Sequence, residues 1–408
     1  MEVTITPPAR SRILSIDLLR GIVMIIMALD HVRDYFHRDA FIFDPTDLTQ
    51  TNPALFFTRW ITHFCAPVFV FLAGTSAYLV GVRKGKNALS KFLFTRGLWL
   101  VFLEAVVVTF GWEFAIHAHT IALQTIWALG VSMIVLSLLI RLPKTVILII
   151  SILIIAGHNA LDNIHVSGQG ADAILWSVIH DPNFFQSGSF SMIIAYPVLA
   201  WIGLMGAGYC FGQFYTNYSP ERRKKILLWI GSLAIILFII IRFSNLYGDR
   251  APWSHQPSFI FTLMSFLNCT KYPPSLLYML MTIGPAIIFL GLSKTREVVL
   301  QSPIGRRVSI RISNIISTYG RVPMFYYLLH IYFIHLAALT AAQLSGYKWS
   351  DMVYGNWISF NPALRGYGFS LGFVYLVWII ITIILYPLCR WYDKYKSRHR
   401  DKWWLSYL

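Results

Sequence analysis

Between Asp17 and His37 the chain reads DLLRGIVMIIMALDHVRDYFH, an apolar run with ionisable groups at both ends. Positions 17, 20, 24, 27, 31 and 34 are separated by alternating steps of three and four. Asp17, Arg20, Met24, Met27, His31 and Asp34 therefore share one helical face. An imidazole beside a carboxylate has the makings of a general base. Asp34 is better placed on that face than Asp30 to fix the tautomer of His31. His31 is a candidate base or nucleophile; the plainer alternative is a satisfied interfacial histidine. At the other end Asp17 and Arg20 can neutralise each other at i, i+3. They are either a structural ion pair or a site where Arg20 anchors an anionic ligand from inside. A rise of 1.5 Å per residue separates Arg20 from His31 by about 16 Å. A lone ionisable group in hydrocarbon costs about 3 kcal/mol on insertion scales, so this face must look into a bundle.

Other segments carry residues of the same kind. In GRVPMFYYLLH, Tyr326 and His330 lie at i, i+4 above a helix-opening Pro323. His330 is a candidate thioester-pocket ligand or proton carrier. His335, about 140° further round the helix, reads as structural. His63 opens an apolar run in RWITHFCAP and is either a packed interfacial group or a substrate contact. Lys271, in SFLNCTKYPPSLLY, is an expected substrate contact. Arg96 stands where, with Lys91, Arg20, Arg306 and Arg307, it could meet phosphates, although flanking charge explains it as well. Glu104 is a carboxylate two turns inside an apolar run, with no partner evident in the sequence. Aromatics of the polar loops, among them Trp176, Phe184, Trp253, Trp349 and Trp357, suit sugar stacking or an interfacial belt.

The elements that must position these groups are membrane helices. Of 408 residues 56% are hydrophobic and only 13% charged, with a mean hydropathy of +0.59; a soluble chain carries about a quarter charged. Ten spans are predicted, near 14–31, 59–82, 92–112, 120–140, 144–160, 191–215, 226–243, 274–293, 314–342 and 369–389. The net charge of +16 does not point to nucleic acid. Lys and Arg concentrate in the segments that a cytoplasmic N-terminus would place inside, which orients both termini to the cytoplasm. The expected fold is an all-α integral membrane protein, one domain over 1–408 with a tail at 1–13, a bundle at 14–389 and a basic tail at 390–408. The first helix reads as retained, since no small-residue cleavage site follows it. Cys65, Cys210, Cys269 and Cys389 are scattered and form no disulfide framework or metal motif, and no metal is expected. Phosphate-loop, dinucleotide, zinc-protease and serine-elbow motifs are missing from the sequence. The loops 32–58, 161–190, 244–273 and 344–368 are long and rich in Trp, Phe, Asn, Asp and Pro, so recognition is expected on the outer side.

RILSIDLLRGIVMIIMALDHV resembles the first helix of the heparan-α-glucosaminide N-acetyltransferase family, HFCAPVFVFLAGTSAYL its second, and YGRVPMFYYLLHIYFIH its late helix with a buried histidine. The Arg-to-His spacing in RGIVMIIMALDH also resembles the wider membrane acyltransferases that O-acetylate envelope glycans. The resemblance implies a multi-pass bacterial inner-membrane enzyme that passes an acetyl group from cytoplasmic acetyl-CoA to an extracytoplasmic saccharide or glycolipid. By the same resemblance Arg20 matches the first-helix Arg, His31 or His37 the catalytic histidine, and His330 the late-helix histidine. Arg-Val-Pro at 321–323 departs from the small and polar residues of the lysosomal enzyme, so amino-sugar specificity is not carried over. The expected partners are the bilayer and the acceptor, with a second copy of the chain left open. The rival reading is a secondary transporter with an intramembrane Asp/Arg/His path, against which stands the lack of two repeated halves. A third, a structural or haem-carrying protein, lacks any demonstrated facing histidines.

Overall fold

The computed structural model describes residues 13–115, 119–293, 303–354, 362–399 and 401–407, with the backbone alone at 303–309 and 406. The tail 1–12, Trp357 and the side chains of Arg306 and Arg307 lie outside the described residues. The chain is mostly helical. Its first helix, α1 (Leu14–Phe36), is followed by α2 (Pro53–Thr62), α3 (Cys65–Lys84), α4 (Lys86–Leu103) and a short α5 (Thr109–Glu113). Then come α6 (Thr125–Leu139), α7 (Lys144–Gly157), α8 (Ala171–Ile179), α9 (Leu199–Phe211) and α10 (Phe214–Asn217). The second half holds α11 (Pro220–Ser244), α12 (Phe259–Leu267), α13 (Leu276–Leu292), α14 (Pro303–Arg321), α15 (Pro323–Leu344) and α16 (Leu371–Arg398).

Six helical stretches are long and apolar enough to cross a membrane: Pro53–Lys84, Lys86–Glu113, Lys144–Leu161, Pro220–Ser244, Pro323–Leu344 and Leu371–Arg398. Each of the other four expected spans also holds a helix. Of these, α6, α9 and α13 are shorter and α1 carries five charged residues among its 23. On α7, α11 and α16 large apolar residues such as Ile152, Leu153, Leu233, Ile240, Ile379 and Ile383 stay exposed. In water that surface would be an aggregation liability; in lipid it needs no partner.

Three of the expected spans depart from uninterrupted helices. The expected span 59–82 starts earlier and is broken where α2 gives way to α3 at His63–Phe64. The span 92–112 contains a π-helical stretch, Glu104–Val108. There Glu104 Oε2 accepts the Trp127 N–H at 2.8 Å, so the carboxylate caps the N-terminus of α6. That is the partner the sequence did not reveal. Val322, just before Pro323, separates α14 from α15.

The fold is not purely α-helical. Spans expected at 120–140 and 191–215 open as strands, β1 (Thr120–Leu123) and β3 (Phe190–Ile194), before α6 and α9 begin. With β2 (Asn183–Ser187) they form a sheet of order β1-β3-β2. Thr120 faces Ser191 in the parallel pair, and Asn183 faces Ile194 in the antiparallel one. Apolarity alone could not distinguish these strands from helix ends. Non-helical backbone at such a place is tolerated where it lines a cavity, which this sheet does.

Candidate active site

A cavity of about 1030 Å³ lies against the C-terminal half of α1. Its walls include Asp30, His31, Arg33, Asp34 and His37 from α1 and its end, and Arg59, Thr62 and Cys65 from α2 and α3. Trp112 of α5, Tyr327 of α15 and the loop residues Lys271 and Tyr272 add to them. Phe41–Pro45 after α1 and Phe184, Gln186, Ser191 and Ile193 of the sheet complete the rim. Three of the four long loops thus contribute to it.

At its wall His31 meets His330. The His31 Nδ1 lies 2.8 Å from His330 Nε2, and His330 Nδ1 lies 3.0 Å from the Tyr326 carbonyl oxygen. A carbonyl only accepts, so in the neutral pair His330 Nδ1 carries the proton and its Nε2 is a bare acceptor. His31 must then donate from Nδ1, which leaves its Nε2 as the basic nitrogen for a ligand in the cavity. His330 is fully buried and does not line the cavity; it backs His31, with the Tyr326 ring nearly parallel at 5.1 Å. The Trp112 ring meets His31 edge-on at 4.8 Å.

This arrangement revises the expected support of His31. Asp34 is bonded to Arg33, and Asp30 is paired with Arg59 and, at 2.9 Å, with Arg33. Buried guanidinium groups claim both carboxylates, and a histidine takes the place that Asp34 was expected to fill. His330 in turn stands behind the expected base, with no face toward a thioester in the cavity.

The other expected residues fall into two groups. His37 lines the cavity; its Nδ1 accepts the Asp39 N–H at 3.3 Å, and burial holds its imidazole below the usual histidine range against the opposing pull of Asp39. Lys271 also lines it, its ammonium 5.1 Å from the Tyr272 ring centroid. His63 is buried beside α13, where its carbonyl accepts the Tyr278 O–H at 2.7 Å, and it does not reach the cavity. Tyr326 serves through its carbonyl and its ring, behind His330. Asp17, Arg20 and Arg96 lie at the other end of α1. Arg20 donates to Ser76 Oγ at 2.8 Å and to the Gly320 carbonyl at 3.2 Å, and stands 3.5 Å from Asp17. Arg96, with Phe92 5.7 Å from its guanidinium, is within electrostatic reach of Arg20. His335 sits between the carbonyls of Gly111 and Met352, 2.9 Å from its Nδ1 and 2.7 Å from its Nε2, and the neutral ring donates to one of the two.

Sequence reasoning missed Arg59 and Arg33, and also what holds Lys271. Arg242 is almost fully buried and donates to the carbonyls of Ala251, Ser265, Phe266 and Asn268 at 2.7 to 2.9 Å. Three of these are orphan acceptors at the C-terminal end of α12. Asp249 accepts from Thr270 N, Thr270 Oγ1 and Ser275 Oγ at 2.6 to 2.9 Å and fixes the two sides of the Lys271 turn. An Arg and an Asp at the ends of an apolar run and in a loop were the available signal, but nothing local tied them to Lys271. Among the described residues no group of three or more His, Cys, Asp or Glu is placed to hold a metal ion.

The cavity thus has a paired imidazole at its wall and helices suited to a bilayer around it. Residues 12–244, more than half of the chain, match the family model described as heparan-alpha-glucosaminide N-acetyltransferase, catalytic. The chain belongs to that family. No curated protein matches it. The matched residues run from α1 to the end of α11 and include His31, Arg33 and Arg59; Lys271 and His330 lie beyond them. The chain is accordingly a membrane acetyltransferase in its general class, and the match does not favour the transporter reading.

Proposed function

We propose that this heparan-α-glucosaminide N-acetyltransferase family member transfers an acetyl group from cytoplasmic acetyl-CoA to a saccharide hydroxyl or amine held in the outer cavity. The observation that carries this reading is the His31–His330 pair. It leaves one basic nitrogen on a residue that lines a cavity large enough for a sugar unit. In the proposed orientation the chain is a single membrane domain with ten crossings, both termini are cytoplasmic, and the cavity opens outward. The donor enters past Arg20 and Arg96, whose guanidiniums suit its phosphates. The distance of about 16 Å from Arg20 to His31 suits an extended arm carrying the thioester.

His31 Nε2 takes the proton from the acceptor O–H or N–H as the new bond to the acetyl carbon forms. The carbon–sulfur bond breaks, and the proton passes from His31 to the departing thiolate. The charge gained by His31 is shared through Nδ1–H with His330, which the Tyr326 carbonyl keeps oriented. Reserving Nδ1 for that bond gives the imidazole a defined direction of attack.

The test is acetyl-CoA binding and acetyl uptake by the purified protein, compared with His31→Ala and His330→Ala. Saturable binding with acetyl release or capture that disappears in the His31 variant supports the reading. Folded wild type that binds no acyl-CoA removes it. An acetyl label retained on His31 would replace direct transfer with a two-step transfer through the same nitrogen.

A further inference from the structure

We propose that Tyr272 is a second catalytic residue: its phenol O–H, polarised by Lys271, hydrogen-bonds the acetyl oxygen as negative charge develops there. The role presupposes the acetyl transfer proposed above, and adds to His31 the group that receives the oxyanion.

When an acceptor adds to a thioester, the carbonyl oxygen becomes negative and is best met by a donor already in place. The charged groups of the cavity wall are committed elsewhere. Arg59 pairs with Asp30, Arg33 with Asp30 and Asp34, and Asp44 accepts from Thr46 N and Oγ1 at 2.8 and 2.7 Å. Lys271 hydrogen-bonds Tyr272. Three cations thus stand against three carboxylates, which leaves new charge to the neutral donors. Among these Tyr272 is set apart by its supports. It lines the cavity, 39% exposed, and its oxygen is hydrogen-bonded by both Lys271 and Tyr196. The Tyr196 ring stands edge-on to it at 5.2 Å, and Tyr196 hydrogen-bonds Thr125 at the start of α6. When the phenol shares its proton with an oxyanion, the charge left on its own oxygen is met by these two partners.

The surroundings act in the same sense. Desolvation opposes ionisation of Tyr272, yet Lys271 and Arg59 prevail and hold its phenol below the usual tyrosine range. Asp30 of α1 opposes them, and Tyr196 and Tyr278 are the other titratable groups facing it. The Asp30–Arg59 pair is within electrostatic reach of both Tyr272 and His31, so donor and base look onto one part of the cavity. The turn itself is fixed. Asp249 holds Thr270 and Ser275 on its two sides, and Asn268 Nδ2 donates to the Thr46 carbonyl at 3.0 Å. A donor held this way needs no reorganisation at the moment of transfer. His31 takes the proton of the acceptor, while Tyr272 keeps its own and lends a hydrogen bond until the carbon–sulfur bond breaks and the carbonyl re-forms.

The experiment follows thiol release from acetyl-CoA across pH by the full-length protein in detergent, with glucosamine or glucose as acceptor. Wild type is compared with Tyr272→Phe, Lys271→Gln and Lys271→Arg. Tyr272→Phe is expected to lower turnover at saturation by about 10²–10³-fold with the KM for acetyl-CoA nearly kept, the cost of one lost oxyanion donor. Wild-type turnover should fall on the alkaline side as Tyr272 ionises, below the ordinary tyrosine value near 10. Lys271→Gln should move that fall upward, Lys271→Arg should return it, and the residual activity of Tyr272→Phe should lack it. Tyrosinate absorbance, read without acetyl-CoA, should show an early-titrating tyrosine in wild type that Tyr272→Phe loses. Turnover kept in Tyr272→Phe, a loss expressed in KM alone, or an alkaline fall that survives without the phenol overturns the proposal. So does a profile unmoved by Lys271→Gln, or a wild type with no early-titrating tyrosine. The two readings fail separately. Wild type that neither binds nor consumes acetyl-CoA removes the acetyl transfer and this role with it, whereas an active wild type matched by Tyr272→Phe removes the role of Tyr272 alone.

Discussion

The two ends of α1 begin from the same ingredients and finish differently. At the inner end Arg20 has Asp17, Ser76 and the Gly320 carbonyl, and the backbones of α1 and α14 come so close that a Cβ at Gly320 would stand 1.8 Å from the Asp17 oxygen. At the outer end Asp30, His31, Arg33 and Asp34 face a cavity, and Arg33 keeps donors without acceptors. A charged face of a membrane helix is therefore not one kind of feature. Where small residues let a neighbour close over it, its charges meet a packed helix; where broken helices and a small sheet hold the neighbours back, they pair with one another along the wall of a cavity.

The largest effect should come from the outer end. His31→Ala is expected to lower acetyl transfer by about 10²–10⁴-fold, the range of a lost general base, with acetyl-CoA binding little changed. His37→Ala should retain most of the activity. Turnover and donor binding measured on both variants decide between the two histidines, and the reverse ranking would move the base to the loop. Next is His330→Leu, which removes the acceptor for His31 Nδ1–H and should cost about 10–100-fold in turnover, by comparison with the loss of outer partners at ligating histidines. It should also alter the pH profile of turnover. His330→Gln, which keeps an acceptor, should recover part of the loss. Equal loss in both variants with an unmoved profile would reduce His330 to packing.

How much of this was visible in the sequence depends on the distance over which each contact acts. The shared face of α1, the break at Pro323 and the i, i+4 placement of Tyr326 and His330 are local, and periodicity displays them. The His31–His330 bond joins residues far apart in sequence, and only the two types, each deep in an apolar run, hinted at it. Asp34 looked like the partner of His31 because helical spacing is all that a sequence offers; Arg33, adjacent to it, and Arg59, from another helix, outbid His31 for the carboxylates. The strands β1 and β3 were hidden because a short apolar run reads alike as strand or helix end. Glu104 showed no partner because its partner is the backbone N–H of Trp127, which no side-chain pattern reveals.

The comparison can also be sharpened from the closed end. Gly320→Leu should destabilise the protein by about 1–3 kcal/mol, the cost of overpacking, because the obstacle is the Asp17 backbone, which cannot turn aside. Thermal unfolding in detergent reads this out, and an unchanged midpoint would mean that α1 and α14 are not in contact there. Arg20→Ala should have a smaller effect, a rise of several-fold in the KM for acetyl-CoA with turnover at saturation nearly kept, as expected where a group binds donor and transition state alike. A loss of stability with KM unchanged would make Arg20 a purely structural partner of Asp17, Ser76 and Gly320.

The smallest expected effect concerns His37 in the outer loop. Burial holds its folded-state pKa below the ordinary value near 6.5, so the unfolded chain takes up a proton first as the pH falls. The contribution of the neutral, buried imidazole is fully present above about pH 6.5 and is lost as the pH drops from there through the folded-state value. His37→Asn keeps a polar side chain without titrating in that window. The variant should therefore show a flatter dependence of unfolding midpoint on pH on the acid side, and no difference in slope above neutrality. An equal slope in the two proteins would show that His37 protonates as readily folded as unfolded. It would then behave as a solvated loop residue.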